Sequence, residues 1–172
     1  MTPRFCATVW VALVIATILS VAYAQDEAEW LAAHNAARSD VSVDPLVWNA
    51  SAAAYALNWV ETQTARADCP VLEHSPDSIY GENIAYAPSS NSSPTTVVTN
   101  VWVAEKKLWD YNTKTCTGAS WKECGHFTQV VWNTTTSVGC ASAACVANAN
   151  FTYYVCEYYP PGNAGGGTVP PY

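Results

Sequence analysis

The sequence has few positive charges. Its 172 residues include 7 Lys and Arg residues against 14 Asp and Glu residues, which gives a formal net charge of −7. Loss of Arg4 with an N-terminal leader would leave 6 positive charges against 14, a net charge of −8. Such a surface repels nucleic-acid phosphates and acidic lipid headgroups. We therefore expect no nucleic-acid partner.

Several catalytic motifs are also absent. The sequence contains no Gly-x-Ser-x-Gly string, no His-Glu-x-x-His string and no phosphate-binding glycine loop. A free thiolate nucleophile is not expected either. Removal of Cys6 with an N-terminal leader would leave six of the seven cysteines, an even number that can all pair in disulfides. Motifs therefore assign no enzymatic activity.

The first 24 residues have the pattern of a secretory signal peptide. Arg4 precedes an apolar stretch over residues 5–19, and Ala22-Tyr23-Ala24 is a small-x-small cleavage site. No later segment is apolar enough to span a bilayer. We expect a secreted, extracellular, monomeric protein with one domain over residues 25–172, of which residues 160–172 form an extended tail.

Six cysteines in a secreted chain favour three disulfides, and spacing alone leaves fifteen pairings open. Secretion also makes asparagines in Asn-x-Ser/Thr strings candidate glycosylation sites where they are exposed. These asparagines are Asn49, Asn91, Asn133 and Asn150.

Helical and strand patterns follow one another along the chain. Hydrophobic periodicity predicts helices over residues 27–38, 45–63 and 93–109. Segments rich in Val, Thr, Tyr and Trp predict strands over 130–141 and 151–159, with a short strand over 81–85. Helices followed by strands indicate an α+β fold, a three-layer α-β-α sandwich with a mostly antiparallel central sheet.

One carboxylate lies on the apolar stripe of the third predicted helix. A buried carboxylate must be paired, ligated or protonated, because an isolated buried charge is too costly. Glu105 is therefore expected to meet a partner. The stripe consists of Val98, Val101, Trp102, Glu105, Leu108 and Trp109.

Two strings in the C-terminal half are highly specific. The segments Cys124-Gly-His-Phe-Thr-Gln-Val-Val-Trp132 and Tyr154-Val-Cys-Glu-Tyr-Tyr-Pro-Pro-Gly-Asn163 resemble the two signature motifs of the CAP superfamily. That superfamily comprises cysteine-rich secretory proteins, antigen 5 and pathogenesis-related protein 1 (PR-1), and this chain most resembles the PR-1 type. The resemblance implies the same α-β-α architecture. It also implies the disulfides Cys69–Cys145, Cys116–Cys124 and Cys140–Cys156.

The resemblance further implies a cleft where two histidines and two glutamates converge. By motif these are His74, Glu82, Glu105 and His126. Imidazoles with carboxylates suit a weakly bound divalent cation, zinc or calcium. The alternatives are a structural polar cluster or an acid–base site of a metal-dependent hydrolase or protease. His34 lies beside Trp30 and Leu31, where a packed core histidine is favoured over a ligand.

An aromatic pair gives a second candidate site. In sterol-binding CAP proteins an aromatic loop is associated with sterol capture, and Trp109 and Tyr111 match its place. An apolar groove between helices, as in fatty-acid-binding relatives, is the other candidate. The leading hypothesis is extracellular binding of a sterol, fatty acid or similar small molecule. The further alternative is an extracellular signalling or interaction protein that is recognised by a receptor.

Overall fold

The computed structural model describes residues 26–172, so the predicted signal peptide lies outside the described residues. Over these residues the chain forms a mixed α+β fold. The helices are α1 (26–40), α2 (Ala50–Thr64), α3 (Pro94–Val97) and α4 (Gly125–Val130). The strands are β1 (Val47–Trp48), β2 (Gly81–Pro88), β3 (Trp109–Asp110), β4 (Thr115–Cys116), β5 (Ser137–Ala144) and β6 (Phe151–Tyr159).

The central sheet has the strand order β1-β5-β6-β2. Its two long pairings, β2 with β6 and β5 with β6, are antiparallel, whereas β1 runs parallel to β5. Because β1 pairs only with Ser137 and Val138, the rest of that edge of β5 is left without a neighbouring strand. The strands β3 and β4 form a separate hairpin.

Helices cover both faces of this sheet, which confirms the predicted α-β-α sandwich. Strand β6 is buried along nearly its whole length, and its side chains alternate between two cores. Tyr154 and Tyr158 pack with Trp30 of α1 and Phe127 of α4 in the larger core. Tyr153 and Val155 pack beneath α2 in the smaller core.

The start of the second helix differs from the prediction. Val47 and Trp48 form a strand, and α2 begins only at Ala50. Asn49 ends the strand and caps the helix, because its side-chain oxygen accepts hydrogen bonds from the backbone amides of Ser51 and Ala52. The predicted helix over 45–63 is therefore wrong in its first five residues.

The third predicted helix is helical but not one regular α-helix. After α3 the chain forms a π-helical turn over Val98–Trp102 and then a 3-10 helix over Val103–Leu108. This change of pitch shifts the buried face, so Val103 is buried and Val101 is exposed. Glu105 nevertheless stays on the inward side, facing α4.

The predicted strand over residues 130–141 is wrong in its first half. Val130 ends α4, and Val131 and Trp132 follow it in a buried turn. Strand β5 begins only at Ser137. Val130 and Val131 are both fully buried. A short buried run of β-branched residues is compatible with either a strand or the end of a helix, so the pattern alone did not distinguish them.

Three disulfides are present, and they are the pairs implied by the CAP pattern. Cys69–Cys145 joins the loop after α2 to the end of β5, and Cys140–Cys156 bridges directly paired residues of β5 and β6. Cys116–Cys124 ties β4 to the start of α4. Within residues 26–172 no helix has the length and apolarity to cross a bilayer.

Candidate functional site: a histidine and glutamate cleft

A cleft of about 630 Å³ opens at one end of the sheet. Three stretches of the chain supply its walls: the loop before β2 with the start of β2, the 3-10 turn over Trp121–Cys124 with α4, and the segment after β6. Both predicted histidines, His74 and His126, line it together with Glu82. The fold therefore brings His74, Glu82 and His126 to one cavity, whereas Glu105 does not line it. No three ligand atoms of these four residues all lie within 4.8 Å of one another.

The first histidine pairs with Glu82. His74 Nδ1 lies 2.5 Å from Glu82 Oε1, and the backbone amide of Ser75 donates to the same carboxylate. Hydrogen bonding to Glu82 raises the pKa of His74. Burial raises the pKa of Glu82, but its hydrogen bonds, the largest contribution coming from His74, outweigh burial and lower it overall. The His74 side chain remains 66% exposed while Glu82 is 6% exposed.

The second histidine pairs with Glu105. His126 Nδ1 lies 2.6 Å from Glu105 Oε1. The other carboxylate oxygen accepts from the backbone amides of His126 and Phe127, at 2.9 and 3.2 Å. These amides belong to the first turn of α4 and have no partner within the helix. Glu105 therefore fixes both the imidazole and the helix that carries it.

Both pairs leave the same ring nitrogen available. An ionised carboxylate only accepts hydrogen bonds, so each Nδ1 carries the proton in the neutral ring and each Nε2 keeps a lone pair. No described residue hydrogen-bonds to Nε2 of His74 or His126. The cleft thus holds two imidazoles that are oriented by carboxylates at Nδ1 and have no described hydrogen-bond partner at Nε2.

Ser75 and His74 do not form a nucleophile and base pair. Ser75 is adjacent to His74, but its hydroxyl is buried without a hydrogen-bond partner. His74 directs Nδ1 to Glu82 instead. The geometry needed to activate a serine is missing here.

Buried Arg38 anchors the far end of α4. Its guanidinium donates to the carbonyl oxygens of Val130 and Trp132, at 3.0 and 2.9 Å, and also to those of Asp44 and Thr135. Burial lowers the pKa of Arg38 to about 10, so the group stays charged at neutral pH. The short helix of His126 is held at one end by a carboxylate and at the other by a guanidinium.

The two signature strings meet beside the cleft. Gly162 donates its backbone N–H to Gln129 Oε1 of α4, at 3.0 Å. A Cβ on Gly162 would lie 2.6 Å from Gln129 Nε2 and 2.8 Å from the Trp132 ring, so only glycine permits this approach. Asn163 Nδ2 donates to the Gly125 carbonyl at 2.8 Å. The second string thus supports the helix formed by the first.

His34 is a core residue and not a ligand. Its Nδ1 donates to the Trp30 carbonyl, and its Nε2 accepts from the Tyr158 hydroxyl, both at 2.8 Å. Its ring lies with Cys140 and Cys156 in a group of potential metal ligands, but these two sulfurs form a disulfide. A metal-binding thiolate is therefore not available at this position.

The aromatic pair Trp109 and Tyr111 lies outside the cleft. Both rings pack against Phe127, and Tyr111 is 49% exposed. The Trp109 indole N–H donates to the Tyr172 hydroxyl at 2.9 Å, and Pro171 is buried. The end of the predicted extended tail is therefore packed against Trp109.

A second cavity of about 260 Å³ lies between α1 and α2, over the unpaired edge of β5. We call it the edge groove. Acidic side chains at the start of α1 stand at its rim. Its lining consists of Asp26, Glu27, Trp30, Trp48, Ala50, Ala53, Ala54, Leu57, Cys140, Ala141 and Ser142.

The candidate glycosylation sites differ in accessibility. Asn91, Asn133 and Asn150 are exposed. Asn49 caps α2 and donates from Nδ2 to the Ser137 hydroxyl. Its amide is engaged, so we expect glycans only at the exposed three.

One residue of the site was missed by sequence analysis. Glu157 of β6 is fully buried and pairs directly with Glu82 of β2. The signal was available, because a carboxylate interrupts an otherwise apolar and aromatic strand. Like Glu105, Glu157 is a carboxylate on a buried face and therefore needs a partner or a proton.

Comparison with known proteins identifies the family. The family model described as CAP, the cysteine-rich secretory protein family, matches residues 31–158. This chain belongs to the CAP family. Within that family its curated relatives include plant PR-1 proteins, so the chain is a PR-1-like CAP protein.

Two of these relatives cover most of the chain. A PR-1 type protein from Sambucus nigra is 41% identical over 138 residues, which are 80% of this chain and 78% of that protein. Pathogenesis-related protein 1 from Arabidopsis thaliana is 39% identical over 152 residues, or 88% of this chain and 87% of that protein.

Solved CAP structures share the fold. Schistosoma mansoni venom allergen-like protein 4 superposes with a TM-score of 0.62 at 23% identity, over 86% of this chain and 93% of that chain. The structure of NaASP2 with Zn²⁺ gives 0.59 at 22% identity, over 83% of each chain.

Proposed function

We propose that this PR-1-like CAP protein is a secreted binding protein whose central cleft holds a divalent cation. The observation that carries the proposal is the pair of imidazoles lining one cleft, each with Nδ1 bonded to a carboxylate and Nε2 unpaired. Histidines that bind metal commonly donate the other ring N–H to a carboxylate, which fixes the tautomer and the ring orientation.

The donor set fits zinc better than calcium. Neutral imidazole nitrogen is a good ligand for Zn²⁺, whereas Ca²⁺ takes six to eight oxygen ligands. His74 and His126 would be the direct ligands, with Glu82 and Glu105 orienting them. Two nitrogen donors with solvent completing the shell make an exchangeable site. A zinc-containing structure of a CAP protein, NaASP2, is in accord with this choice.

Two other features support secretion. Disulfides persist in oxidising compartments, and all six cysteines of residues 26–172 are paired. The leader-like sequence over residues 1–24 has the features of a signal peptide. We therefore place the cation site in an extracellular protein.

Zinc titration of chelator-treated protein by calorimetry tests the cation site. We expect His126→Ala or His74→Ala to remove measurable binding, because a single imidazole is left. Glu105→Gln should weaken binding roughly 10- to 100-fold, the usual loss when the partner of a ligating histidine is removed.

Asp77→Asn is the matched control for that titration. Asp77 lines the same cleft and has a positive φ of 54°, a conformation that asparagine tolerates. The change removes a cleft carboxylate without touching either imidazole, so zinc affinity should stay within about threefold. Equal zinc binding by wild type and by the His74→Ala, His126→Ala double variant would contradict the proposal.

A second function is favoured by the edge groove. Ligand pockets typically measure roughly 300–1,000 Å³ and are mostly apolar. The edge groove, at about 260 Å³, is just below that range and suits one acyl chain better than a four-ring sterol. Binding of a fatty acid or similar small hydrophobic molecule is therefore our second candidate, with the Trp109 and Tyr111 surface as the alternative sterol contact.

Displacement of a fluorescent fatty acid distinguishes these two surfaces. Ala54→Phe should fill the edge groove and lower affinity at least tenfold. Asn58→Phe places the same phenyl ring at an exposed position of α2 outside the groove and should leave affinity unchanged. A loss caused instead by Tyr111→Ala, measured also with cholesterol, would assign binding to the aromatic surface.

A further inference from the structure

Glu157 presents an unusual environment for a carboxyl group. Its side chain is fully buried, and neither oxygen receives a hydrogen bond from any N–H or O–H group of the described residues. The Ser78 hydroxyl approaches and favours the ionised form, but it does not reach hydrogen-bond geometry. A buried carboxylate without donors would cost several kcal/mol.

A second carboxyl group lies beside Glu157. Glu82 and Glu157 are directly paired residues of the antiparallel strands β2 and β6, so their side chains project from the same face of the sheet. Glu82 is also almost completely buried. Two adjacent carboxyl groups in a site of this kind cannot both be ionised, and they share one proton.

The surroundings decide which of the two holds that proton. Glu82 already accepts hydrogen bonds from His74 Nδ1 and from the Ser75 backbone amide, and both bonds stabilise a carboxylate. Glu157 has no such donors. Burial and the adjacent Glu82 raise the pKa of Glu157 far above its ordinary value.

We propose that Glu157 is a positioning residue of the cleft: as a neutral carboxylic acid it donates a hydrogen bond to Glu82 and so holds the Glu82 carboxylate against His74. A buried chain then runs from Glu157 through Glu82 to the imidazole at the surface. The hydrogen bond itself does not depend on metal binding. Its consequence for zinc affinity rests on the proposed function.

Infrared spectroscopy of the metal-free protein at pH 7 tests the hydrogen bond. Carboxyl groups with ordinary pKa values are ionised at this pH. We therefore expect a protonated carboxylic C=O band in the wild type. The band should vanish in Glu157→Gln and persist in Glu82→Gln, where Glu157 remains buried. Absence of the band in the wild type, or its persistence in Glu157→Gln, would overturn the proposal.

Zinc titration and NMR of the His74 ring test the positioning. Glu157→Gln retains an N–H donor of similar shape, so zinc affinity should stay within about threefold of the wild type and the Nδ1 proton signal should be kept. Glu157→Leu has no donor, so affinity should fall about tenfold and the signal should broaden. Equal affinities and equal signals in the Gln and Leu variants would refute the positioning role.

These measurements separate the two hypotheses. If the wild type binds no zinc while the infrared band and the His74 signal respond as expected, the proposed function fails and the role of Glu157 stands. Thermal unfolding of each variant checks that it is folded. If Glu157→Leu does not fold, the infrared comparison of wild type, Glu157→Gln and Glu82→Gln still decides the hydrogen bond.

Discussion

Replacing Arg38 with methionine is expected to lower the free energy of unfolding by about 4 kcal/mol. The guanidinium donates to four backbone carbonyls, those of Asp44, Val130, Trp132 and Thr135, and it is 1% exposed. Methionine fills a similar volume but leaves all four acceptors without a donor, at about 1 kcal/mol for each lost hydrogen bond. Urea unfolding at pH 7 measures the change.

Two further arginine variants make this test specific. Arg38→Lys keeps the charge but not the planar fork, so it should recover only part of the loss. Arg66→Met removes a partly exposed arginine whose partners, Asp68 and Glu73, are exposed, and it should change stability little. A stability of Arg38→Met equal to that of the wild type would show that the buried guanidinium does not hold the segment.

Arg38→Met should also affect the cleft through the helix that carries His126. Val130 ends the six-residue helix that carries His126, so loss of its anchor loosens that end of α4. We therefore expect Arg38→Met to weaken zinc binding as well, although Arg38 does not line the cleft. The role of Arg38 was not predictable from the sequence, because its acceptors on α4 and beyond lie more than 90 residues away along the chain.

The residue pattern predicted a strand correctly where its residue types favour a strand and no helical period competes. The strand over 151–159 was predicted at its observed bounds, because its β-branched and aromatic residues have no competing helical period. The pattern failed at Val130 and Val131, which are equally apolar but end a helix. A short, fully buried apolar run does not distinguish strand from helix without its tertiary neighbours.

The site was only partly predictable for a related reason. Helical periodicity predicted that Glu105 faces the interior. Its side chain does face α4, although the segment is π-helical and then 3-10 helical. Pairing each carboxylate with a histidine required the CAP resemblance, since His74 lies in an irregular loop without periodicity. The strand pattern marks Glu157 as a carboxylate in a buried strand, but its pairing with Glu82 was not predictable, because Glu82 belongs to a strand that is distant along the chain.

Acid should destabilise the protein through His34, and this is the second large effect that we expect. Burial lowers the pKa of His34 to about 4, whereas an unfolded chain has the ordinary value of 6.5. Between these values the unfolded state binds more protons, so stability is full above pH 6.5 and falls as the pH drops toward 4. The loss amounts to about 3 kcal/mol, at about 1.4 kcal/mol per pH unit.

Urea unfolding between pH 7 and pH 4.5 measures this loss, and His34→Gln should reduce its slope. Substituting His74 instead should act in the opposite direction. Hydrogen bonding to Glu82 raises the pKa of His74, so His74 favours the folded state at low pH and its contribution is lost as the pH rises. His74→Gln should therefore leave the acid loss undiminished. If both variants have the wild-type slope, neither histidine controls acid stability; if only His34→Gln flattens it, the neutral ring between Trp30 and Tyr158 is responsible.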